Sequence, residues 1–117
     1  DQSLTSATRG DGGVYSSACD WARWETAMSE NLILSQEFQE MAFTPGKLNN
    51  GTLIEYGFGW MLNSFQGVIH QYHTGSTIGF RTAVERFPEK GLSVLVLVNR
   101  ANASPWTIAR NIAEHFF

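Results

Sequence analysis

His73-Thr74-Gly75, running on into Ser76-Thr77-Ile78-Gly79-Phe80, is the stretch of this chain best suited to chemistry. A strand that ends in a basic residue, a hydroxyl and a glycine can offer a cation, an O–H and bare backbone N–H groups to one ligand. Glycine carries no Cβ to hold a substrate off the backbone. Three such residues also occur together by chance, so the stretch gains meaning from its surroundings.

Other reactive side chains point less clearly to a site. His70 and His73 have the look of a metal pair, but a spacing of three along a strand puts them on opposite faces. No metal site and no cofactor is expected. Cys19 falls early in a helix, where a thiolate can be stabilised, yet a buried and inert thiol is the simpler reading. Trp21, Trp24 and Trp60 read as core. Gly57 and Gly59 bring backbone close either to a substrate or to a packed helix. Arg81 and Arg86 are expected to pair with surface carboxylates such as Glu85 or Glu89, at little energetic gain.

The elements that must position the stretch can be read from period and punctuation. Asp1 to Gly13 is polar, with three glycines between Gly10 and Gly13, and reads as a loop. Val14-Tyr15-Ser16 could be a short extended piece. Ser17-Ala18-Cys19-Asp20 is like a capping box and opens a helix with Trp21, Trp24 and Met28 on one face. A second short helix follows Ser35, with Glu37 in its first turn; it is expected to bury Phe38, Met41 and Ala42 and to close at Pro45-Gly46. From Ile54 the pattern becomes extended. Ile54 to Phe65, Val68 to His73, Arg81 to Phe87 and Leu92 to Val98 read as four strands, turned at Gln66-Gly67 and at Pro88 to Gly91. The run Leu92 to Val98 is almost wholly apolar, which predicts a central strand covered on both faces. Ser104 as N-cap and Pro105 at the first helical position open a last helix. Its expected apolar stripe is Ile108, Ala109, Ile112, Ala113 and Phe116. The fold class is α+β: an antiparallel sheet of about four strands covered by helices, the C-terminal helix lying across it.

Composition bounds the rest. The 117 residues suffice for one domain or part of one, and 43% hydrophobic against 16% charged residues describes a globular chain. A net charge of −3, with eight scattered Lys and Arg, argues against a nucleic-acid partner. No apolar stretch approaches the roughly 20 residues that span a bilayer, and no leader-like pattern is visible at Asp1-Gln2-Ser3. A single cysteine excludes an internal disulfide and leaves the compartment open.

Three segments together resemble the C-terminal part of the serine β-lactamase-like hydrolases, the group of class C β-lactamases, D-alanyl-D-alanine carboxypeptidases and related esterases. Gly10-Asp11-Gly12-Gly13-Val14-Tyr15-Ser16-Ser17, with Asp20 and Trp24, is similar to the family's glycine-rich loop into a helix. Tyr56-Gly57-Phe58-Gly59-Trp60 is similar to its Tyr-Gly-x-Gly-Trp strand. His73-Thr74-Gly75-Ser76-Thr77-Ile78-Gly79-Phe80, with Pro88, Gly91 and Val96-Leu97-Val98-Asn99, is similar to its Lys/His-Thr-Gly strand and following hairpin.

The resemblance implies acyl transfer through a serine nucleophile. That reaction takes a Ser-x-x-Lys pair, a Tyr-x-Asn or Ser-Asp-Asn element, and a Lys-Thr-Gly strand. Only the third is present: no serine here has a lysine three residues on, and neither second element occurs. The implied roles are therefore few. The backbone N–H of Ser76 would be one oxyanion donor. His73 would stand for the family's lysine, with a charge that changes near neutral pH. Thr74 would hydrogen-bond a substrate carboxylate, and Gly75 would leave the strand bare. The chain is expected to be a single region, 1–117, forming the C-terminal portion of a longer hydrolase and inactive alone. Its partners would be a small-molecule or peptide acyl substrate and, to cover exposed apolar surface, a second copy. For the family a periplasmic or secreted setting fits. The rival expectation is a non-catalytic binding or interaction module that keeps the fold.

Overall fold

The computed structural model describes residue 10 and residues 12–117. The loop expected over Asp1 to Gly13 lies outside these apart from Gly10, Gly12 and Gly13, and Val14-Tyr15-Ser16 joins no strand. Ser17 caps helix α1 (Ala18–Ser29), its hydroxyl oxygen accepting from the Asp20 N–H. Ser35 caps helix α2 (Gln36–Ala42) in the same way through Phe38 N–H. Four strands follow: β1 (Met61–Phe65), β2 (Val68–Thr77), β3 (Phe80–Phe87) and β4 (Leu92–Val98). They form an antiparallel meander in the order β1-β2-β3-β4. Helix α3 (Pro105–Glu114) ends the fold. This is the expected α+β architecture. No helix among the described residues is long and apolar enough to cross a membrane.

Turn chemistry fixes the register. Gln66 and Gly67 both take positive φ, 49° and 83°, as a two-residue hairpin with the strand's own twist requires. Phe65 therefore pairs with Val68, and the pairing runs out to Met61 opposite Tyr72. Gly79 at φ 78° lets Thr77 pair with Phe80 across the next turn.

Side chains alternate between the two faces of the sheet. On one face Ala83, Phe87 and Val94 meet Ala109 and Ala113 of α3, ringed by Phe65, Val68, Leu92, Val96 and Phe117. On the other face α1 is anchored by charge. Arg86 is buried, its Nε donating to both carboxylate oxygens of Glu25 at 2.8 and 2.9 Å and its Nη1 to Gln71 Oε1 at 2.7 Å. Its guanidinium also lies over the Phe43 and Trp60 rings.

Several expectations are corrected. Among the described residues strand β4 is an edge strand, pairing only with β3, and Leu97 is 46% exposed. A continuous apolar run reports on a strand's faces and says nothing of its edges. In α2 only Ala42 is buried, while Phe38 and Met41 are 58% and 49% exposed. The helix turns inward the Gln39 amide, which donates to Met28 O at 2.7 Å and Asn31 Oδ1 at 2.8 Å. It also ends at Ala42, before Pro45. In α3 the inward row is Pro105, Ala109 and Ala113; Ile108, Ile112 and Phe116 are exposed. Small residues let the helix axis approach the sheet, and the bulkier stripe is turned away. Ser104 holds the cap position without a side-chain hydrogen bond. Cys19 is exposed. Arg86 and Glu85 are interior groups with partners far away in sequence. Arg81 bonds to the Thr77 and Phe80 carbonyls, and Glu89 accepts from Ile69 N–H.

Residues 54–60 are not a strand. They are tied to the end of α2 by Phe58 N–H to Ala42 O and to the loop after it by Gly46 N–H to Tyr56 O, with Gly59 at φ 79°. Gly57 lies so close beneath α2 that a Cβ there would overlap the Ala42 carbonyl oxygen and press on Leu62. The carbonyl belongs to the backbone and is hard to move, so Gly57→Ala should cost about 1–3 kcal/mol. A fall of several degrees in thermal midpoint would register it. An unchanged midpoint would show that the loop relaxes freely.

Candidate acyl-binding edge

β1 ends opposite Tyr72, whereas β2 continues to Thr77, paired among the described residues only with β3. Among those residues the outer edge of β2 is therefore open from His73 to Thr77. Alternation says which groups face it. In a two-residue hairpin the flanking residues exchange hydrogen bonds, so Val68 points its backbone groups at β1, and Tyr72, Thr74 and Ser76 follow at steps of two. Thr77, flanking the other hairpin, points toward β3, as do His73 and Gly75. The Ile69 N–H bonded to Glu89 beyond the end of β3 has the parity this requires. Thr74 and Ser76 thus present N–H and C=O groups to the open edge, and both residues are exposed.

The side chains divide. His73 and Gly75 stand on the α1 face, Thr74 and Ser76 on the α3 face, and of the four only Thr74 and Ser76 turn their backbone groups to the open edge. Gly75 is opposite Thr82, whose Oγ1 occupies the space a Cβ would need. The glycine keeps the strand narrow here for a local reason as well as for any ligand.

His73 is held at both ring nitrogens. Nδ1 lies 2.8 Å from its neighbour's carbonyl, Thr74 O, and Nε2 lies 2.9 Å from the Tyr56 hydroxyl. A carbonyl only accepts, so Nδ1 carries a proton and donates. In the neutral ring Nε2 then has a lone pair, and Tyr56 O–H donates to it. Tyr56 meets the ring edge-on, with centroids 5.9 Å apart. Tyr56 is not among the site residues expected from the sequence. Its signal lay in the Tyr-Gly-x-Gly-Trp segment, 17 residues before His73.

His70, by contrast, is on the α3 face and fully buried, bonded through Nδ1 to Asn63 Oδ1 and stacked between Tyr72 and Phe87. The two histidines are on opposite faces, as their spacing requires. Trp21, Trp24 and Trp60 are half-buried and stack with one another beside Phe43, closing the gap between α1 and the residues before β1.

A family model described as Beta-lactamase matches residues 1–115. The chain belongs to the beta-lactamase family. It is 34% identical over 109 residues to penicillin-binding protein 4* of Bacillus subtilis (strain 168), a match covering 92% of this chain and 24% of that protein. The fold is similar to the crystal structure of a penicillin-binding protein from Bacillus halodurans, with a TM-score of 0.67 and 19% identity, over 86% of this chain and 30% of that one. This beta-lactamase-family chain thus spans about a quarter of the curated relative's length.

Proposed function

We propose that this chain is the C-terminal portion of a serine acyl hydrolase of the β-lactamase, D,D-peptidase or esterase type. It supplies the acyl-binding edge, and the nucleophile comes from protein outside this sequence. The open edge at His73 to Thr77 carries the reading. An extended acyl substrate can lie along it, hydrogen-bonded to the backbone groups of Thr74 and Ser76 as an added strand. The N–H of Ser76 is one donor for the developing oxyanion, and His73, Thr74 and Gly75 line the same edge.

Two further observations support the reading. The exposed Ile108, Ile112 and Leu97 fit a chain that packs against more protein. No serine here has the lysine that would activate it. One oxyanion donor is worth about 10²–10³ in rate, too little to act without a nucleophile. Incubating the purified chain with a penicillin and with a fluorophosphonate, followed by intact-mass measurement, should therefore give no adduct. A single stoichiometric adduct on any serine would contradict the proposal.

A further inference from the structure

A cleft beneath α1 has a polar floor and polar walls. Gln71 of β2, Arg86 of β3 and Ser93 of β4 are register neighbours, so they form one row across the α1 face of the sheet. Glu25 of α1 and Gln39 of α2 stand around that row and help enclose about 530 Å³. Ligand pockets of this size are usually walled mainly by apolar side chains. Here polar side chains from both helices and three strands converge instead. Gln71 and Arg86 are only 6% and 5% exposed, yet each has donors left over. A guanidinium only donates, so the bond from Arg86 Nη1 fixes the Gln71 amide with its oxygen toward Arg86. Among the described residues neither Gln71 Nε2 nor Arg86 Nη2 then has an acceptor. The sealed side-chain atoms without a partner are Trp21 Nε1 and His70 Nε2, so these two nitrogens reach open space, and the space they border is the cleft. Acceptors stand beside them. Each Glu25 oxygen takes one bond from Arg86 Nε and keeps a further lone pair. The Gln39 amide nitrogen donates to Met28 O and Asn31 Oδ1, which leaves its carbonyl oxygen available. The Ser93 hydroxyl can donate and accept.

We propose that this cleft is a binding site for a neutral saccharide. Each sugar hydroxyl both donates and accepts, so a sugar ring can answer donors and acceptors mixed around one cavity. A lone carbonyl or amide would leave most of them unused, and unmet polar groups are costly to cover. Glu25 cancels the charge on Arg86, so the cleft gives an anion no net attraction. The site uses the part of β2 that precedes His73 and stands independently of the acyl-binding reading.

The test uses the full chain, labelled with ¹⁵N, and follows the backbone amides of Gln71, Arg86 and Ser93 with the side-chain NH₂ of Gln71. Methyl β-D-glucopyranoside should shift all four with a Kd on the order of 1 mM, and leave the Thr74 and Ser76 amides in place. Methyl β-D-glucuronide, the same ring carrying a carboxylate, should bind no more tightly. Ser93→Ala should weaken the glucoside about fivefold, the effect of one neutral hydrogen bond. Gln71→Met, which removes the amide donors at similar length, should weaken it at least as much. Gln71 is also an interior partner of Arg86, so Ser93→Ala decides the matter if that variant unfolds. No shift at the cleft, shifts confined to Thr74 and Ser76, or undiminished binding by Ser93→Ala would overturn the proposal. So would tenfold tighter binding of the glucuronide, which would mark an anion site, or equal binding of cyclohexanol, which would mark an apolar one.

Discussion

Phe87→Ala should remove about 3–5 kcal/mol of stability, the largest loss expected from any single truncation in this chain. Phe87 is fully buried at the end of β3, its ring 4.8 Å from His70, 4.9 Å from Phe117 and 5.7 Å from Phe65. Those neighbours come from β2, from the chain end beyond α3 and from β1, so one cavity loosens three elements together. A domain of this size holds roughly 5–15 kcal/mol in all, and the variant should unfold at a much lower urea concentration. Phe80→Ala is the internal control. Phe80 begins the same strand but is 54% exposed, and a loss of about 0.5 kcal/mol or less is expected there. Equal losses at the two positions would mean that the core is not where α3 meets the sheet.

Glu85→Ala should cost about 3 kcal/mol for a different reason. The Glu85 carboxylate has no exposed surface and accepts from Arg110 Nε at 3.0 Å. His70 Nε2 stands 3.4 Å from the carboxylate, without the alignment of a hydrogen bond. Removing the acid leaves Arg110 with its guanidinium against the Phe65 and Trp106 rings and without its ion-pair partner among the described residues. Breaking one side of a buried pair typically costs 3–5 kcal/mol, and Arg110 lowers the figure because 21% of its side chain stays in water. The pair ties α3 to β3 across 25 residues of sequence. A double-mutant cycle with Arg110→Ala, read by urea denaturation, should give a coupling of about 0.5–3 kcal/mol. Additive losses would show that the two side chains act independently.

Local chemistry made most of the elements legible. Ser17 and Ser35 cap the two helices where hydroxyls precede apolar periods, and Gln66-Gly67 turns the first hairpin as its glycine suggests. The strand from Val68 to His73 was legible for the same reason, whereas its continuation through Thr74 to Thr77 was not. What escaped was long-range. β1 starts only at Met61 because the preceding residues bond back to Gly46 and Ala42, and that start leaves the edge of β2 open from His73 onward. Nothing local in the sequence links Arg86 to Glu25, 61 positions earlier. An apolar helical stripe named Ile108 and Ile112 as core, whereas close packing selected Ala109 and Ala113. Tyr56 was visible as part of a motif, and its role emerged only when the fold brought its hydroxyl to His73.

The central claim is that acyl ligands dock along the open edge of β2. Titrating the ¹⁵N-labelled chain with N-acetyl-D-alanyl-D-alanine and mapping the amide shifts tests it most directly. The account predicts the largest shifts at the Thr74 and Ser76 amides, with smaller ones at His73 and Gly75. Shifts centred instead on the cleft beneath α1, at Glu25, Gln39, Arg86 and Ser93, would contradict it.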